Sequence, residues 1–192
     1  AESLAGRAFE LRQVPLDDLI EPFGPTLSQD PAAQGGAQHE ARRDRQAQTL
    51  AHFEQAIRLQ PDFVDAHYNR SCVLQTLNRL AEARAGFCQT LRLDPRRLEA
   101  WNNLALVEAA LGHAPAALLA HEQGLALQPE QAQVWFNRGN VLMTLHRYEE
   151  ALASYERAAA QGLPHAFVWG CMALARAYVC DWSVRAEDMA RL

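Results

Sequence analysis

Seven histidines and four cysteines are the side chains of this chain best suited to ligate a metal or attack a substrate, and their spacing supports neither role. Cys72, Cys88, Cys171 and Cys180 form no Cys-x-x-Cys pair, and no histidine cluster has metal-ligand spacing. Reduced thiols in a cytoplasmic protein are the expectation. No Ser-His-Asp arrangement, phosphate-cradling glycine loop or dinucleotide fingerprint is present. By itself the chain is expected to be no enzyme, with no catalytic residues, no metal and no cofactor. The side chains with a suggestive spacing are asparagines. Asn69, Asn103 and Asn137 stand 34 residues apart. A carboxamide offers one carbonyl acceptor and two N–H donors, so it matches a peptide group in either sense. A ladder of such groups would grip an extended main chain with little regard to its sequence. The other role open to them is local, as solvated helix residues.

The same period governs other columns. Trp101, Trp135 and Trp169 repeat every 34 residues, with His67 one period earlier. Small residues follow at Ser71, Ala105, Gly139 and Ala173, then Ala83, Ala117 and Ala151, then Phe53, Phe87, His121 and Tyr155. Pro61, Pro95 and Pro129 close the units, and the next proline slips by one to Pro164.

Within one unit, Trp101, Leu104, Ala105 and Val107 recur at helical spacing. Gly112 and His113 allow a tight turn, and a second helix runs from about Pro115 to Leu127, where Pro129 stops it. Each unit is an antiparallel helix pair that cannot bury its apolar faces alone, so pairs stack into a superhelix. Full units span residues 64–97, 98–131 and 132–165, with an incomplete first unit at 37–63 and a last, partial one, or the start of a linker, at 166–192. One long helix is expected from about Ala37 to Leu59. Residues 24–36 are rich in Gly and Pro and predict a flexible linker. Residues 2–13 predict a stray or remnant first helix, Val14 to Phe23 a loop or a short docking peptide, and Val184 to Leu192 a final helix.

These columns resemble the tetratricopeptide repeat: a 34-residue period with Trp, Leu and a small residue, then Ala and an aromatic, then proline. The resemblance covers roughly residues 37–182 and implies an all-α fold, a tetratricopeptide-repeat superhelix whose first helices line a concave groove. At about 100° per residue, the Asn column lies opposite the Trp packing stripe, flanked by the Asp65, Cys72 and Thr76 columns. None of the three asparagines is assigned to the core, whereas the Trp column is expected to be substantially buried. Asp65, Glu99, Tyr68, Phe136 and Asn140 are expected to supply side-chain preference around the ladder of Asn69, Asn103 and Asn137.

The Asn ladder also resembles the superhelical arm of the O-linked N-acetylglucosamine transferase family, in which such asparagines hold the acceptor polypeptide. Cys180-Asp181-Trp182 stands where the last repeat of that family passes into its catalytic region. The resemblance implies a substrate-recruiting arm, with the glycosyltransferase region itself expected to be missing from a chain that stops at Leu192. A non-catalytic adaptor that binds a peptide or partner protein is the other class of function, and self-association through the last repeat is compatible with both.

Charge narrows the partners. The net charge is −5, which argues against nucleic acid and anionic membrane surfaces. No stretch approaches the ~18 apolar residues of a membrane span. All 18 basic residues are arginine. A lysine-based clamp for acidic C-terminal tails, as in chaperone-binding members of the repeat class, is therefore not expected, and Asp65 and Glu99 would repel such a tail.

Overall fold

The computed structural model describes residues 31–180, with the side chains of 31–43 and 165–167 left aside. Residues 2–13, Val14 to Phe23, Asp181-Trp182 and Val184 to Leu192 lie outside the described residues.

Eight helices follow one another with no strand among the described residues: α1 (Pro31–Leu59), α2 (Val64–Thr76), α3 (Leu80–Leu93), α4 (Leu98–Ala110), α5 (Ala114–Leu127), α6 (Ala132–Thr144), α7 (Tyr148–Ala160) and α8 (His165–Tyr178). The pairs α2/α3, α4/α5 and α6/α7 are the three full units. The end of α1 serves as the second helix of the unit before them, and α8 as the first helix of the one after. At the amino end the structure corrects the expected linker. Helix α1 spans Pro31–Leu59, so residues 31–36 are helical.

The turn inside each unit repeats in detail. Asn78, Gly112, His146 and Cys180, one period apart, all have φ near +60 to +80° (57°, 81°, 58° and 58°). The N–H after each of the first three reaches back to the last helical turn: Arg79 to Leu74 O, His113 to Glu108 O and Arg147 to Leu142 O, at 2.8–2.9 Å. This is the left-handed helix stop that glycine tolerates best. A Cβ on Gly112 would touch nothing within 4 Å, so Gly112→Ala isolates the backbone cost. It should destabilise the chain by about 1 kcal/mol in urea titration. An unchanged midpoint would show that this turn relaxes.

The period also accounts for the core. Ala83, Phe87, Ala117, Ala151 and Tyr155 are completely or almost completely buried, as are Ser71 and Ala105 of the small column. The Trp column differs from expectation. Trp169 is buried, but Trp101 and Trp135 are half-buried. The reason is a polar duty at the indole edge. Trp101 Nε1 donates to Pro95 O at 2.9 Å, and Trp135 Nε1 to Pro129 O at 2.8 Å. His67 keeps the same tie, with Nε2 2.8 Å from Pro61 O. The column therefore fastens each first helix to the proline turn before it. Arg157 also lies over the Trp135 ring, 4.7 Å from its centroid.

Apolar residues gather in two main clusters that part within the middle unit. Ala100, Leu104, Ala105 and Ala120 belong with the amino-terminal cluster, whereas Ala117 and Leu118 belong with the carboxy-terminal one. Polar ties cross the unit boundaries. Arg70 pairs with Glu54 at 3.0 Å, and two periods later Arg138 pairs with Glu122 at 3.4 Å. Both arginines thus face the preceding unit. Arg84 on α3 pairs at 2.6 Å with Glu108, a carboxylate only 4% exposed on α4, and His113 Nδ1 lies 2.8 Å from its other oxygen.

Candidate binding face

The first helices of the three full units touch in succession, α2 with α4 and α4 with α6, while the second helices make no comparable contact with one another. The first helices are therefore the crowded, inner side of the curve. On that side Asp65, Glu99 and Gln133 are exposed, as are Leu106 and Asn140, and Thr76, Ala110 and Thr144. Helical geometry makes this a continuous stripe, since these positions are separated by four, seven or eleven residues on each helix.

The asparagines lie along one edge of this stripe. All three are half-buried, each in a different bonding state. Asn69 Oδ1 is buried without a partner. Asn103 Nδ2 donates to Tyr68 Oη at 3.0 Å and to Cys72 Sγ at 3.6 Å, so it bridges two units. Asn137 Oδ1 accepts from Gln133 Nε2 at 3.1 Å on its own helix. Asn140 is exposed, and its Oδ1 accepts from Tyr155 Oη at 2.9 Å.

Two expected groove residues prove to be core. Tyr68 and Phe136 are 9% and 6% exposed. They sit one residue after the Trp column, about 100° round the helix, which turns them onto their own second helix. Tyr68 meets Phe87 with ring centroids 5.9 Å apart, and Phe136 meets Tyr155 at 5.6 Å. Tyr68 reaches the Asn ladder only through its hydroxyl. Burial, with Cys72 beside it, raises the Tyr68 phenol well above its usual range, and burial raises the Cys72 thiol. Both are neutral hydrogen-bonding groups, not nucleophiles.

Asp65 is paired with Arg97, whose guanidinium lies over the Tyr68 ring at 4.3 Å from its centroid. The structure thus brings Asp65, Tyr68 and Asn103 into one cluster with Arg97 and Cys72. It places Asn137 and Asn140 in a separate group further along. From sequence Arg97 reads only as a solvated residue at a helix start, because the same position in the other units holds Phe63, Gln131 and His165. Leu106, 41% exposed, stands in the column of Cys72 and Asn140, which helical geometry places on the stripe. Glu99 stands exposed on α4, and its charge acts on Tyr68 of the first group. Among the described residues no three His, Cys, Asp or Glu side chains converge as metal ligands, and no helix is long and apolar enough to cross a membrane.

Comparison with known proteins agrees with this architecture. Tetratricopeptide repeat models match residues 52–85 and 132–160. No curated protein matches the chain in sequence. Among solved structures, MamA superposes with a TM-score of 0.72 at 14% identity, over 80% of this chain and 84% of that one. MamA 41-end from Desulfovibrio magneticus RS-1 gives 0.71 at 17% identity, over 82% and 89%. YrrB, described as a TPR protein with an unusual peptide-binding site, gives 0.69 at 20% identity, over 80% and 79%. The chain carries tetratricopeptide repeats, stacked as an all-α solenoid.

Proposed function

We propose that this chain is a non-catalytic protein-interaction module that binds an extended polypeptide along the stripe formed by its first helices. The observation that carries this is the exposed stripe bordered by a half-buried amide ladder. Asn69, Asn103 and Asn137 address the main chain of the ligand, and Leu106 offers an apolar contact between them. Glu99 and Asn140 supply preference, with Asp65 contributing less because Arg97 already holds it. Tetratricopeptide repeats generally mediate protein–protein interactions, and the peptide-binding site ascribed to the YrrB neighbour is in keeping with this.

Leucines on opposite faces make the test specific. Leu106→Glu places a charge on the stripe, whereas Leu119→Glu places one on α5, where the leucine is 58% exposed. Titration against a randomised peptide library should show binding weakened about tenfold or more by the first, through lost apolar burial, and unchanged by the second. Equal effects, or loss only at Leu119, would move the binding surface off the first helices.

The Asn trio favours a second reading, the substrate-recruiting arm of an O-linked N-acetylglucosamine transferase-like enzyme. A parent reading frame that continues past Leu192 into an α/β glycosyltransferase region would support it, and continuation into anything else would remove it. Self-association through α8, which exposes Leu174 and Tyr178, is tested by sedimentation of the chain over a range of concentrations.

A further inference from the structure

The middle unit departs from its neighbours in its own core. Where the first full unit sets Tyr68 against Phe87 and the third sets Phe136 against Tyr155, the same two positions one period away hold Asn102 and His121. His121 is 1% exposed. Neither of its ring nitrogens has a hydrogen-bond partner, and Asn102 Oδ1 is likewise buried without one. Asn102 lies against α5, the helix that carries His121. A Cβ on Gly124, one turn beyond His121, would stand 3.2 Å from Asn102 Oδ1. Gly124 itself occupies the position filled by Thr90 and Ala158 in the flanking units. Three core columns lose bulk in the same unit, where the two apolar clusters part.

Buried polar atoms in folded proteins are almost always answered, by protein or by ordered water. Arg138, whose charge acts on His121, does not answer its nitrogens. Arg138 gives its hydrogen bonds to Ser154 Oγ at 2.6 Å and Glu122 at 3.4 Å. A neutral imidazole carries one N–H donor and one lone-pair acceptor, and the amide carbonyl is an acceptor. An apolar guest would leave all of these unsatisfied. A molecule that both donates and accepts would complete them, and buried waters characteristically bridge two to four such groups.

We propose that Asn102 and His121 form an internal polar site between α4 and α5 for a water-sized, neutral hydrogen-bonding ligand, water itself in the free protein, in place of the ring pair of the neighbouring units. The water donates to Asn102 Oδ1 and bonds one ring nitrogen of His121, as donor or acceptor according to the tautomer.

A high-resolution crystal structure of the full chain should show ordered density within hydrogen-bond distance of both Asn102 Oδ1 and a His121 nitrogen. In solution, 17O relaxation dispersion of water should detect a long-lived molecule in the wild type that is lost in the double variant Asn102→Tyr/His121→Phe, which restores the ring pair of the first full unit. That variant should also melt a few degrees higher. If it does not fold, His121→Phe alone should lose the same signal, and the wild-type density decides the case if neither variant folds. A dry site in the density would overturn the proposal, as would dispersion unchanged in a folded variant.

Discussion

Acidification from pH 6.5 to pH 4 is expected to remove about 3 kcal/mol of folding stability through a single side chain, His121. Burial pushes its imidazole down to about 4, and the Arg138 guanidinium acts in the same direction. In the unfolded chain the ring returns to its ordinary value near 6.5. Between those values the unfolded state binds a proton that the native state refuses. Stability is therefore complete above the upper value, falls as pH falls through the window, and levels off near the lower one. Each tenfold loss of proton affinity is worth about 1.4 kcal/mol, and the window from 6.5 to about 4 thus amounts to about 3 kcal/mol. That is a large share of the roughly 5–15 kcal/mol typical of a domain.

Glu108 acts in the same direction but lower on the scale. Its burial alone would raise the carboxyl, yet hydrogen bonds from Arg84 and His113 outweigh this and hold it below the usual carboxylate range. Its contribution is present above the ordinary carboxylate value and is lost only as pH falls below it. The two contributions are thus separable. Urea titrations across pH should show His121→Phe losing the upper step while keeping the lower one, with neutral-pH stability little changed or raised. A variant profile parallel to the wild type would mean that the imidazole is not buried neutral.

Replacing Asn69, Asn103 and Asn137 together by alanine should weaken binding of extended peptides by roughly one to three orders of magnitude. Each amide exchanges water contacts for peptide contacts and so contributes only about 0.5–1.5 kcal/mol, with about 1.4 kcal/mol per tenfold in affinity. The single variants should be mild in binding but unequal in stability. Asn103 ties α4 to Tyr68 and Cys72 on α2, so Asn103→Ala should lower the melting temperature. Asn69→Ala removes an unanswered buried carbonyl and should not. Peptide titrations and thermal melts on the wild type, the three single variants and the triple variant decide between the roles. Equal affinities with equal melts would remove the ladder from binding. Collapse of the triple variant would show that the asparagines are structural.

Much of the architecture was legible because a stacked repeat encodes it locally. A 34-residue period in Trp, Pro, Ala and aromatic columns specifies helix, turn and helix, and each unit needs only its neighbours to complete its core. The exposed stripe was equally legible, since about 100° per residue places Asp65, Glu99, Leu106, Asn140 and Thr144 away from the packing face.

Tertiary structure decided what side chains do once helices meet. Tyr68 and Phe136 look like groove residues from their helix alone, but the second helix of each unit covers them. The Trp column looks like core, but its indole N–H seeks the proline carbonyl at the turn and keeps two of the rings half-exposed. His121 looks like an aromatic substitute at a packing position. Asn102 stands where the neighbouring units place a ring, and only the folded middle unit shows that it and His121 are left with buried atoms unanswered. Periodicity specifies which positions face inward, because that depends on one helix. Whether the polar atoms there find partners depends on residues of another helix, and a single column cannot carry that information.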